Sequence, residues 1–350
     1  MTGAAVQIPR VTVLMPVYNG VQHLREAIES ILGQTFRDYE FLIINDGSTD
    51  ASESIIRSYD DPRIRLVNNE TNLKLIATLN KGLGLARGEY VARMDCDDIS
   101  LPERLQKQLS FLDSNSSVAI VGSWCRTIGG EKTKLLRYPQ NRDKLKCSLL
   151  FGSPLAHPTV IFRRELFQRH AFWYDPAFLH AEDYELWVRV AESFDLGMLP
   201  EVLLRYRVHE GQVTKAHLGE MVANSGKVWG RLLRRMGLEP TEQQMLIHRV
   251  LAYAALEPGV DLQGIDDWLC AILRANAASG YFLPATLTES LVERFLTLVK
   301  KNGKSIEWSG AILAMKFLKE GDGALSSMSR FLLANLTDRV SSLFPGDSIP

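Results

Sequence analysis

Five short apolar runs, near residues 11–17, 40–45, 63–67, 89–94 and 118–122, alternate with stretches near 21–33, 50–59, 74–86 and 102–114 in which apolar residues recur every three or four positions. The first pattern predicts buried strands and the second amphipathic helices. Strands that alternate with helices predict an α/β fold, with a mostly parallel sheet covered on both faces. Ligands of such open sheets gather at the carboxyl ends of the strands. Those ends are where this chain turns polar. A further strand is expected over His157-Pro158-Thr159-Val160-Ile161-Phe162, a helix from near Glu182, and a closing segment from Leu196 to Arg207.

The run from Gly88 to Asp98 carries an apolar strand straight into Asp95, Asp97 and Asp98, three carboxylates within four residues. Carboxylates this close resist being ionised together unless a cation neutralises them. An oxygen-only donor set suits Mg²⁺ or Mn²⁺, which keep several waters and share their remaining positions with substrate phosphates. The plainer alternative is a turn in which Asp98 or Ser100 caps a helix starting near Pro102.

Two earlier strands also end in polar turns, Pro16-Val17-Tyr18-Asn19-Gly20 and Asn45-Asp46-Gly47-Ser48-Thr49-Asp50. In order, the P-x-Y-N, (D/N)-D-G-S-x-D and D-x-D turns resemble those of the family 2 inverting glycosyltransferases of the GT-A fold. The resemblance covers about residues 8 to 213. It implies that Pro16, Tyr18 and Asp46 form the nucleobase site, Tyr18 by stacking and Asp46 by hydrogen bonding, which favours uracil. It also implies that Asp97 ligates the metal and bridges it to the diphosphate, while Asp95 contacts ribose or a metal-bound water. Arg93 is placed either to meet phosphate or sugar oxygens or to pair with an aspartate. Without a ligand in mind, Tyr18 would be a core residue and Asp46-Gly47 a tight turn.

His180-Ala181-Glu182-Asp183-Tyr184 resembles the family's E-D motif. By that resemblance Asp183 is the general base, which an inverting transfer requires on the face opposite the leaving group, and Glu182 orients hydroxyls. Acids opening a helix can equally serve as caps. Tyr206-Arg207-Val208-His209 resembles the segment that ends many of these catalytic domains, and it implies that His209 reaches the metal or the diphosphate. His157 is either an acceptor-side residue or a satisfied core histidine. Lys74 and Leu79 stand where many members carry a glycine and an arginine, a change that shifts diphosphate contacts towards Lys74 or Arg93. The lack of a Q-x-x-R-W segment favours single additions over processive synthesis.

The chain has 350 residues, 46% of them hydrophobic and 23% charged, which suits a globular protein of two domains. We expect a catalytic domain over 1–215 and an all-helical domain over 216–350, with helices near 217–236, 241–256, 261–278, 285–301, 306–319 and 324–343. The last places Leu325, Met328, Leu332, Leu336, Val340 and Leu343 on one stripe, which suits internal packing, an interfacial membrane helix or a dimer contact. A net charge of -1 shows no basic excess for nucleic acid. The four cysteines are widely spaced, and no signal peptide or membrane span is expected, so the chain is expected to be cytoplasmic with at most peripheral membrane contact.

The expected activity is metal-dependent transfer from a nucleotide-sugar, with UDP as the carrier, to a hydroxyl of a glycan or lipid-linked glycan in cell-surface synthesis. The helical domain is expected to serve the acceptor, membrane proximity or homo-oligomer formation. Two other classes remain open at this level. A nucleotidyltransferase would need a glycine-rich, basic phosphate loop that Tyr18-Asn19-Gly20 does not supply. A non-catalytic nucleotide-binding scaffold would have no use for both Asp97 and Asp183.

Overall fold

The computed structural model describes residues 8–209 and 217–302. The chain divides into two compact units between Val228 and Trp229. In the first, β1 (Val11–Val17), α1 (Leu24–Leu32), β2 (Tyr39–Asn45), α2 (Ser52–Arg57), β3 (Ile64–Asn68), α3 (Leu75–Leu85) and β4 (Tyr90–Arg93) follow the expected alternation. After them come β5 (Ile99–Ser100), α4 (Arg104–Ser114), β6 (Val118–Ile128), β7 (Leu135–Leu136), α5 (Arg142–Ser148), β8 (Ile161–Arg163), α6 (Arg164–Arg169), α7 (Glu182–Ala191) and β9 (Asp195–Arg207). Helix α8 (Leu218–Arg235) spans the division, and α9 (Glu242–Tyr253), α10 (Leu262–Ser279) and α11 (Pro284–Asn302) form the second unit.

The sheet has the order β3-β2-β1-β4-β8-β6-β9-β5, with β7 beside β6. Its first four strands are parallel, and β8 enters antiparallel between β4 and β6. The run expected as one strand from His157 to Phe162 is therefore divided. His157–Thr159 makes a 3-10 turn and only Ile161–Arg163 joins the sheet. Pro158 supplies the reason, since it fixes its own φ and has no N–H to give a ladder.

Every residue of β1 and β2 is buried, as interior parallel strands require. Val13, Met15 and Val17 pack with Leu24, Ala27, Ile28 and Ile31 of α1 and Leu105, Leu109 and Leu112 of α4. Leu14 points the other way and meets Gly82 of α3, so alternate residues of one strand hold both helical layers. Chain direction across the sheet reverses at β1, which lies between β2 and β4. That reversal opens a crevice at the carboxyl ends of all three. The pairings Val17 with Asn45 and Leu14 with Arg93 bring the three polar turns to this one edge.

In the second unit, Thr241 and Gln244 form a reciprocal capping box at the start of α9, and Asp261 accepts from the Gly264 amide at the start of α10. Its core includes Val250, Leu251, Ile265, Trp268, Ile272, Leu287 and Leu291. The helices expected near 306–319 and 324–343 lie outside the described residues. No described helix is long and apolar enough to cross a membrane.

Strand β4 starts against β1 by backbone contact. The Gly88 amide donates to Thr12 Oγ1 at 2.9 Å, and Thr12 donates to buried Glu40 at 2.6 Å. A Cβ at Gly88 would lie 2.4 Å from the Thr12 nitrogen and 2.5 Å from the Val11 carbonyl carbon. Gly88→Ala should therefore cost at least ~1–3 kcal/mol in urea denaturation. Gly84→Ala, whose added Cβ meets nothing within 4 Å, should stabilise α3 by up to ~1 kcal/mol.

Candidate functional site

The turns after β1 and β2 are laced together by side chains. Asn19, at φ 51°, accepts from the Thr49 amide at 2.8 Å, while its own amide donates to Ser48 Oγ at 3.0 Å. Gly20 and Val21 donate to Ser52 and Asp50. Gly47 has φ 68°, and a Cβ there would lie 2.7 Å from the Thr71 carbonyl carbon, so only glycine lets the two loops close. Tyr18, 48% exposed at the end of β1, is not a core residue.

Asp46 is buried, and its Oδ1 accepts from Asn69 Nδ2 at 2.7 Å and from the Leu73 amide at 2.9 Å. One oxygen of this carboxylate thus holds the segment leading into α3. That segment contains Lys74 at φ 73° and ψ 162°, a conformation that essentially only glycine adopts without strain. Leu79, at the position of the family's arginine, is fully buried.

Beyond β4, Asp95, Asp97 and Asp98 bring ligand oxygens within 4.8 Å of one another, a donor set able to hold a hard cation. Asp98 caps no helix: α4 has Glu103 at its N-cap with no side-chain bond there, and Asp98 Oδ1 accepts from the Arg207 amide at 2.7 Å. Its other oxygen is buried without a hydrogen-bond partner among the described residues. Arg207 Nε also donates to the Asp97 carbonyl at 2.7 Å, and His209 Nε2 lies 3.0 Å from Asp97 Oδ2. Burial, reinforced by the neighbouring acids, pushes the Asp98 carboxyl well above the ordinary carboxylate range. Asp95 is raised by burial too, although Arg93 opposes the rise.

Arg93 is buried and forms an ion pair with Asp95. Burial works against its charge, but Asp95 more than compensates and the guanidinium is raised above its usual value. Its Nε has no hydrogen-bond partner among the described residues. Behind it, fully buried Arg104 donates to the Arg93 carbonyl at 2.7 Å and to Gln108 at 3.0 Å.

Glu182, buried, and Asp183, half-buried, stand at the start of α7 within electrostatic reach of Arg93. The N-cap is Ala181, which offers no side-chain bond, while Asp183 Oδ1 accepts from the next amide, Tyr184, at 2.7 Å. Glu182 Oε2 is buried without a partner among the described residues. Burial raises both carboxyls, Glu182 up to about 7 with the charge of Asp183 adding to it, and Asp183 up to about 6 despite the Tyr184 hydrogen bond. Glu185, one turn on, differs: Arg189 Nε donates to both of its oxygens at 2.8 and 2.9 Å.

His157 Nε2 lies 2.8 Å from the Tyr174 hydroxyl, and burial next to Arg93 holds this imidazole well below its ordinary pKa. Asn80 clamps the Tyr174 backbone, donating to its carbonyl at 2.8 Å and accepting from its amide at 2.9 Å. Sequence reasoning passed over Arg104, Tyr174 and Asn80. An arginine in the first turn after the acidic run was a usable signal for Arg104; the contact of Asn80 with Tyr174 spans 94 residues and leaves no local trace.

The sheet thus carries clustered acids at its switch point, Asp98 among them buried, and a second carboxylate pair opens α7. The model of glycosyl transferase family 2 matches residues 12–171. An uncharacterized glycosyltransferase of Haemophilus influenzae is 33% identical over 232 residues, covering 63% of this chain and 72% of that protein. The O-antigen biosynthesis glycosyltransferase WbnJ of Escherichia coli is 33% identical over 216 residues, covering 59% and 83%. Among solved structures, S. aureus TarS 1–349 in complex with UDP-GlcNAc superposes with a TM-score of 0.55 at 17% identity, covering 84% of this chain and 92% of that one, which shows the shared fold. The chain belongs to glycosyltransferase family 2 and is a glycosyltransferase. Membership sets aside the nucleotidyltransferase and scaffold alternatives.

Lys74 yields a test of the local strain. Lys74→Gly should raise stability by about 1 kcal/mol in urea denaturation, relief of the backbone outweighing the added freedom of the unfolded chain. Lys74→Ala keeps the Cβ and should leave stability nearly unchanged.

Proposed function

We propose that this glycosyltransferase transfers a sugar, with inversion, from a UDP-sugar to a hydroxyl of a glycan or lipid-linked glycan in cell-surface synthesis. The observation that carries the reading is the Glu182–Asp183 pair, with raised pKa values, under the charge of the same Arg93 that pairs with Asp95. Support for the donor comes from TarS, whose crystals hold UDP-GlcNAc and UDP, and support for the acceptor class from the O-antigen role of WbnJ.

In this reading the uracil stacks on Tyr18 beside Pro16 and donates its N–H to Asp46 Oδ2, since Oδ1 is committed to the α3 loop. Arg93 Nε is an unpartnered buried donor suited to a phosphate or sugar oxygen. The unpartnered oxygen of Asp98 and the three clustered carboxylates fit Mn²⁺ or Mg²⁺, with Asp97 as the direct ligand, His209 next to it and Asp95 through ribose or water. Such an ion supplies Lewis-acid stabilisation of the charge that gathers on the departing diphosphate. Asp183 accepts the proton of the acceptor hydroxyl as its oxygen bonds to the anomeric carbon. The bond from that carbon to the diphosphate oxygen breaks, and UDP leaves with the electron pair. Glu182 orients the acceptor. The helical unit serves acceptor access, membrane proximity or self-assembly.

A protonated base cannot accept a proton, so kcat/KM should rise with pH through the range of about 6 to about 7 in which the pair ionises. Asp183→Asn should bind donor normally and transfer at least ~100-fold more slowly, without that acidic limb. Product anomers resolved by NMR should show inversion. A variant with the wild-type rate would move the base elsewhere, and retained configuration would remove the single-displacement reading.

A further inference from the structure

We propose a second cation site, selective for a nitrogen-seeking ion such as Zn²⁺, formed by His180, His217 and Glu220. Their ligand atoms all lie within 4.8 Å of one another, and His180 Nε2 is 3.7 Å from Glu220 Oε2. The imidazoles of His180 and His217 stack with centroids 4.4 Å apart and planes 17° from parallel. Two imidazoles and a carboxylate make a three-ligand zinc set with the fourth position open. Tetrahedral donors at zinc distances sit about 3.3 Å apart, so rotations that turn the stacked imidazoles out of parallel and let their in-plane lone pairs converge close the site. Glu220 and His217 are exposed and have room to make them.

Local structure brings the three groups together. His180, in the loop before α7, has φ 65°, a left-handed conformation uncommon outside glycine, and its side chain is largely buried. His217 and Glu220 are three residues apart at the start of α8 and share a face. A second tie joins the same elements: buried Asn224 donates to the Leu179 carbonyl at 2.7 Å. An ion here pins the loop that leads into Glu182 and Asp183. It is chemically distinct from the acidic turn, because imidazole ligands suit Zn²⁺ where an all-oxygen set suits Mg²⁺ or Mn²⁺.

The test uses the full chain carrying Asp97→Asn, which weakens the acidic turn as a competing site. Calorimetric titration with Zn²⁺ should show one bound equivalent. Adding His217→Gln or Glu220→Gln, both exposed positions that leave the core intact, should each weaken binding at least ~100-fold, the loss expected when a ligand itself is removed. Co²⁺ should give the intense visible bands of a tetrahedral ion in the Asp97→Asn chain and lose them in both double variants. Absence of Zn²⁺ binding to the Asp97→Asn chain, or binding that neither added substitution changes, would overturn the site and leave an ordinary polar contact between His180 and Glu220.

Discussion

A single guanidinium buried within the sheet organises the chemistry of this protein. Arg93 ends β4, pairs with Asp95, and bears electrostatically on Asp98, Glu182, Asp183, His157 and Tyr174. A buried charge is tolerated only when compensated, and here the compensation comes from carboxylates on two separate elements. The same field keeps those carboxylates from rising further, and it adds to the burial that lowers the His157 pKa. Arg104 fixes the Arg93 backbone from behind, so the charge cannot drift.

Parallel register does the rest of the positioning. Because β2, β1 and β4 lie side by side and end together, residues 18, 46 and 95 share one edge although 77 positions separate the first from the last. The edge is then locked from β9, where Arg207 binds the Asp97 carbonyl through its side chain and Asp98 through its amide. That arrangement explains why Asp98, the most buried of the three acids, behaves as a structural as well as an ionic group.

What could be read from sequence was what is local. Apolar runs announced β1 to β4, and the polar turns at their ends announced the edge on which Tyr18, Asp46 and Asp97 meet. The strand expected from His157 begins only at Ile161 because Pro158 breaks the run, and its antiparallel insertion depends on partners about 40 and about 70 residues away. Asn80 with Tyr174, and His180 with His217 and Glu220, join residues that have no periodic relation. Lys74 is the instructive departure: the missing glycine was visible, but its left-handed backbone could be seen only in the structure.

The acidic turn beside Arg93 is proposed as a cation-dependent site for a uridine diphosphate. Calorimetric titration of UDP into the full chain, with and without Mn²⁺, tests it most directly. Binding should be at least tenfold tighter with Mn²⁺, equivalent to about 1.4 kcal/mol, and that dependence should be lost in Asp97→Asn. UDP binding indifferent to Mn²⁺, or tighter binding of GDP or CDP than of UDP, would contradict it.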